Sequence, residues 1–347
     1  MRKKVFLGVV LSAVFGFGLA VPPASASEQD KIVQIVEKLA PEVLGQTVDN
    51  STLNFSEAKD AAKSTVVNLL STSSDKKSTI ALAVDYMRSV NRSAGGLTLM
   101  SGQDPAVFAL VQSGDNGFRI LTVLTSRPQS NKFSYDFDVP KGTEILETPS
   151  NYLLAFGDKV LGSIQKPWAV DANGRRLATH FDWDGRTLTQ VLDENLSNVS
   201  YPALMDPAWG YTKQYALVDS PEVNFAKLQL CFNCYFPVPG APYAYPRIGQ
   251  LLPLTVAGQS FECTMGPTYQ FPGYREFQFN ATKNHVDKLG SSISFQMTKI
   301  GSGYALVVQG YVVNDFGGPI ARWGYLQSAG LMWQSFANNL NFTRFYS

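Results

Sequence analysis

The sequence predicts a mixed, β-rich fold: an antiparallel sandwich or meander through the N-terminal and central region, followed by an α+β C-terminal domain with an antiparallel sheet and a long terminal helix. Three observations carry this expectation. Between about residues 78 and 206, short apolar segments alternate with period two and end at Gly, Pro, Asn or Asp turns. The composition, with 28 Gly, 19 Pro and 12% aromatic residues against 16% charged, suits many short strands and turns around an aromatic core. From Ile320 the apolar spacing becomes that of a helix, with Leu326, Ala329, Met332, Trp333, Phe336, Ala337 and Leu340 forming one broad stripe.

At the N-terminus Arg2, Lys3 and Lys4 precede an apolar run from Val5 to Ala20, then Pro22, Pro23 and the small residues Ala24, Ser25 and Ala26. This order predicts a secretory signal peptide over residues 1–26, cleaved after Ala26, because the run is shorter than the roughly 20 residues that a spanning helix needs. The mature chain is then secreted, extracellular or cell-wall associated, with no transmembrane segment. Residues 27–77 read as a helical prelude: Ile32, Ile35, Val36, Leu39 and Val43 share one face, and Ala58, Ala61, Ala62, Val66 and Leu69 a second. The stretch Ser71 to Ser78 reads as a polar loop.

Residues 78–210 form the β-rich module. Ile80, Leu82, Val84 and Tyr86 alternate, as do Phe133, Tyr135, Phe137 and Val139, and further strands are expected at Val107 to Val111, Phe118 to Leu124, Tyr152 to Phe156, Val160 to Ile164 and Leu188 to Leu192. Tyr201-Pro202 and Asp206-Pro207 are expected to close the last strand, since proline cannot donate into a ladder.

The residues Pro167-Trp168-Ala169-Val170-Asp171-Ala172-Asn173-Gly174, then Thr187-Leu188-Thr189-Gln190-Val191, then Tyr201-Pro202-Ala203-Leu204-Met205-Asp206-Pro207 resemble a β-rich module recurrent in secreted actinobacterial and RHS-type cell-surface proteins. Ala203 stands where that module more often has Val. The resemblance implies a modular extracellular protein, with the module as a spacer or leader, and brings no catalytic residue.

Residues 211–347 are read as the second domain. Ser220, Pro221 and Glu222 are a helix start: a capping hydroxyl, a first-turn proline and a carboxylate at the positive end. Strands follow at Leu251 to Val256, Ser260 to Met265, Tyr274 to Ala281, Ser292 to Thr298 and Tyr304 to Val313, and Asp315 to Pro319 breaks the sheet before the terminal helix. This element order resembles the helix-grip (START-like) arrangement, which implies an apolar cavity between sheet and helix. FNCYFPVPGAP from Phe232 and WQSFANNL from Trp333 also resemble segments of uncharacterised secreted actinobacterial proteins.

The three cysteines, in an exported chain, predict one disulfide and one leftover thiol. Cys263 is expected to pair with Cys234, at the helix end where the chain turns, with Cys231 as the alternative partner. A zinc site would lack its fourth ligand, and no metal or cofactor is expected. The two histidines lie apart: His180 in an alternating strand beside Asp182 and Asp184, read as a solvated surface group, and His285 in a polar loop, read as an exposed turn residue. Trp323, Tyr325, Phe271 and Tyr274 add to the aromatic stock of helix and sheet. Those aromatics either fill a core or line a pocket, and the expected apolar pocket comprises Phe277, Phe279, Met332, Trp333 and Phe336.

No nucleophile elbow, metalloprotease helix or phosphate-binding loop occurs in the sequence. A net charge of +1 gives no basic footprint for nucleic acid. The favoured expectation is a secreted non-enzymatic protein that binds an apolar ligand or an envelope component. A leader delivering a toxin-like C-terminal effector and a secreted hydrolase of unrecognised type are the alternatives.

Overall fold

A computed structural model describes residues 26–40, 54–56, 65–73, 76–84, 87–92, 97–114, 117–137, 139–206, 208–311 and 319–342. The proposed signal peptide up to residue 25 and the sheet break at 312–318 lie outside them. Among the described residues the chain forms a six-stranded sheet, a sixteen-stranded sheet, a two-stranded ribbon, an N-terminal helix Ala26–Leu39, two short helices Pro221–Leu230 and Phe232–Tyr235, and a terminal helix Pro319–Asn341. No helix among them is long and apolar enough to cross a membrane.

The central region is built in three layers. The six-stranded sheet presents Phe133, Tyr135 and Phe137 on one face and leaves their neighbours half-buried or exposed, so its period of two was visible. The facing part of the large sheet is covered on both sides. Met100, Ala109, Val111, Ile120 and Met205 pack against the small sheet, while Leu99, Leu110, Leu121, Val123 and Leu204 pack under Ile32, Val36 and Ala40 of the N-terminal helix. Burial on both faces explains why residues 107–111 of strand Val107–Gly114 and 203–205 of strand Ala203–Asp206 are continuously apolar rather than alternating.

Where it is described, the second half of the expected prelude is strand rather than helix. Residues Thr65–Ser73 form a strand that pairs along its whole length with Lys76–Val84, and the expected loop at 71–78 belongs largely to these two strands. Ala58, Ala61 and Ala62 lie outside the described residues. The β-branched run Thr65-Val66-Val67 is the local reason, since stiff side chains favour the extended backbone.

Pro202 and Pro207 do not end the sheet. They bracket the strand Ala203–Asp206, and a long strand Ala208–Leu217 follows at once. Its first residues pair with Gly117–Leu124 and Lys159–Gln165, and Tyr211 through Leu217 pair with Gly303–Tyr311. The expected boundary at 210/211 therefore falls inside one strand, and the large sheet runs through both parts.

The C-terminal sheet is also covered on both faces. Phe277, Phe279, Phe295, Met297, Leu306 and Val308 face the helices, and Ala305 and Val307 face Leu153 and Ala155 of the central region. On that second face Glu276 is fully buried and accepts hydrogen bonds from Ser150 Oγ and Tyr274 Oη, each at 2.6 Å. Burial raises its carboxyl above the usual range, against the opposing pull of those donors.

Candidate functional site

The helix at Pro221 starts as its residues dictate: the Ser220 hydroxyl accepts the Val223 N–H at 3.4 Å, and Pro221 needs no amide partner in the first turn. It stops at Cys231, whose extended backbone (φ −155°) hands over to the short helix Phe232–Tyr235. That change of direction places Cys231 against Cys234, and the two are disulfide-bonded with Cα atoms 5.3 Å apart. The expected Cys234–Cys263 pairing is thus corrected, and so is its alternative, Cys231–Cys263. Cys263 is a buried free thiol. It sits at the start of strand Cys263–Phe271, and burial, helped by the Glu262 carboxylate, pushes it up to about 12, which keeps it protonated and unreactive at neutral pH.

The terminal helix lies on this sheet and changes role along its length. Phe336, Ala337 and Leu340 in its last turns are fully buried in the core. Tyr325, Ser328, Ala329, Met332 and Trp333 in its earlier turns instead roof a cavity of about 550 Å³, partly open to solvent. Phe279, Ala281, Cys263 and Ile293 form the floor, Phe236 and Val238 one wall, and the hairpin Thr255–Ser260 a lip.

Of the expected pocket residues, Phe279, Met332 and Trp333 line this cavity. Phe277 and Phe336 do not: Phe277 stacks on Phe295 at 4.9 Å, Phe336 meets Phe236 edge-on at 5.4 Å, and both are fully buried core residues. Phe271 is exposed, and Tyr274 turns to the other face to bond Glu276. The side chain of Trp323 lies outside the described residues.

His285 is the main correction. Far from an exposed turn residue, it lines the cavity with its ring edge-on to Phe261 at 5.1 Å, and Phe261 is parallel to Tyr325 at 6.3 Å. Burial pushes its imidazole down to about 4, so it is neutral at pH 7. The Asp287 backbone N–H donates to its Nδ1 at 2.9 Å, which leaves the ring proton on Nε2. The Tyr325 hydroxyl donates to Asp287 Oδ2 at 2.7 Å across a separation of 38 residues. His285, Asp287 and Tyr325 thus give an otherwise largely apolar cavity one polar end. No local pattern in the sequence marks them as a group, because the loop and the terminal helix meet only in the tertiary fold.

His180 is placed as the sequence suggests, half-exposed on strand Thr179–Trp183. Its Nδ1 meets Asp193 at 2.8 Å and its Nε2 meets Asp182 at 3.4 Å, and these carboxylates raise its pKa, the Asp193 hydrogen bond most. Its described partners are carboxylates, with no hydroxyl or thiol to activate.

The residues of the module-like segments serve turn and core. Asp171 accepts the backbone N–H groups of Asn173 and Arg175 and so shapes the turn at Gly174. Asp206 is buried, accepts the Trp168 indole N–H at 2.9 Å and pairs with Arg119 at 3.0 Å. Compared with family models, with curated proteins and with solved structures, the chain finds no match.

Proposed function

We propose that this is an exported binding protein that holds an apolar small molecule in the cavity beneath its terminal helix. The observation that carries the reading is the cavity itself: about 550 Å³, mostly apolar, with a few polar groups gathered at one end. Packed interiors hold few voids larger than a water molecule, whereas small-molecule sites typically measure about 300–1,000 Å³ and have this lining. Export is supported by the basic, apolar and small-residue regions in order at residues 1–26 and agrees with the Cys231–Cys234 bond. The test is titration of the full chain with an uncharged fluorescent apolar probe such as Nile red. One saturable site per chain supports the reading, and the absence of saturable binding overturns it.

A further inference from the structure

The polar end of the cavity offers a ligand one directed hydrogen-bond donor, and this step rests on the apolar-ligand reading above. His285 lines the cavity with a side chain that is 12% exposed. Its Nδ1 accepts the Asp287 backbone N–H at 2.9 Å, so the lone pair there is occupied and the ring proton sits on Nε2. That bond and the edge-on contact with Phe261 at 5.1 Å orient the ring. The Nε2–H itself has no hydrogen-bond partner among the described residues. The hydroxyls nearby are used differently: Tyr325 donates to Asp287 Oδ2 at 2.7 Å, and Ser291 donates to the Asp287 carbonyl at 2.5 Å. Ser292 can turn its hydroxyl to donate or accept and so sets no direction, and Gln259 is exposed on the lip.

We propose that the cavity selects apolar carbonyl compounds, ketones or esters, whose oxygen accepts the His285 Nε2–H, over hydrocarbons of the same shape. Seating an apolar molecule beside the ring shuts Nε2–H off from water, and a donor buried without an acceptor loses its hydration with nothing in return. A carbonyl restores the hydrogen bond and brings no proton of its own, whereas a hydrocarbon leaves the donor unpaired. Sites built to hydrogen-bond a ligand discriminate in this way against the analogue that lacks the group.

The experiment uses 2-octanone and 2-methyl-1-octene, which share one skeleton and differ in whether the branch is C=O or C=CH2. The full chain, labelled with nitrogen-15 at histidine, is titrated at pH 7 by calorimetry and by NMR; it has two histidines, and His180→Gln assigns their signals. Both compounds are expected to saturate one site, and only the ketone moves the His285 Nε2–H proton downfield. In His285→Phe, which keeps a ring against Phe261, the ratio of ketone to alkene affinity is expected to fall about tenfold, the scale of one buried donor left unpaired; taking the ratio cancels the difference in transfer from water. Binding of both compounds with the same response at Nε2–H, or binding of the alkene alone, overturns the carbonyl preference and leaves the apolar-ligand reading standing. Failure of both to bind overturns that reading and this proposal with it. A folded His285→Phe that keeps the original ratio overturns the assignment to His285. The NMR titration of the unaltered chain decides the matter even where the variant does not fold.

Discussion

Two titratable residues, the half-buried His285 and the fully buried Glu276, pull stability in opposite directions with pH. His285 has its folded pKa depressed from 6.5 to about 4 by burial. Its contribution is therefore complete above pH 6.5 and is lost as pH falls towards 4, where the unfolded chain takes up a proton that the folded one refuses, a loss of about 3 kcal/mol. Glu276 has its pKa raised above 4.5 by burial, so its contribution is complete below that pH and declines as pH rises through its folded pKa. Urea titrations between pH 4 and 8 should show a flatter acid limb in His285→Asn, which keeps an acceptor for the Asp287 N–H, and a flatter limb at higher pH in Glu276→Gln. Variants that track the unaltered protein would contradict both assignments. Neither residue was legible as buried in the sequence. His285 sits in the polar string Asn280 to Lys288, and its burial comes from Phe261 and Tyr325, distant in the chain. The Ser220 cap was legible, because its hydrogen bond is local.

Among the elements, the terminal helix does two jobs, core at one end and roof at the other. Gly330 lies where the helix crosses the shared strand. A Cβ there would fall 2.0 Å from Lys213 Nζ, and the Gly330 carbonyl accepts the Tyr215 hydroxyl at 2.8 Å. The division of labour sets the expected costs. Phe336→Ala removes a fully buried ring and should cost about 3–5 kcal/mol, whereas Trp333→Ala, at the cavity roof, should cost less, and Leu331→Ala, 72% exposed, less than about 0.5 kcal/mol. Equal losses for Phe336 and Trp333 in chemical denaturation would contradict the division. The apolar stripe of this helix could be read directly, but which turn met core and which met cavity could not, since that depends on the distant strands and loops packed beneath each turn. The strand Thr65–Ser73 was misread because five apolar positions fit a helical spacing while its partner Lys76–Val84 settled the pairing. The disulfide was misread because a continuous helix was assumed through Cys231, where the chain bends. A four-residue loop restrains the unfolded chain by about 2 kcal/mol, less than the roughly 3 to 4 kcal/mol that a loop closed by Cys234 and Cys263 would contribute.

For the whole molecule, the strand Ala208–Leu217 makes the two expected domains one sheet, reinforced by the Leu153, Ala155, Ala305 and Val307 contact and by Glu276 with Ser150. The chain should accordingly melt in a single calorimetric transition, and residues 211–347 alone should not fold, since they would expose that apolar face and the buried carboxyl. Two separated transitions would contradict this, and a folded fragment would favour the alternative of a detachable C-terminal effector. The β-rich class was legible from turn spacing, but the sharing of one sheet was not, because no local pattern tells two adjacent sheets from one. The central claim is that the cavity under the terminal helix is a binding site rather than a packing defect. The most direct measurement compares Nile red titrations of the unaltered chain and of Ala329→Phe, which fills the roof. The claim requires one saturable site in the first and its loss in the second with the melting temperature kept, whereas equal binding by both, or by neither, would contradict it.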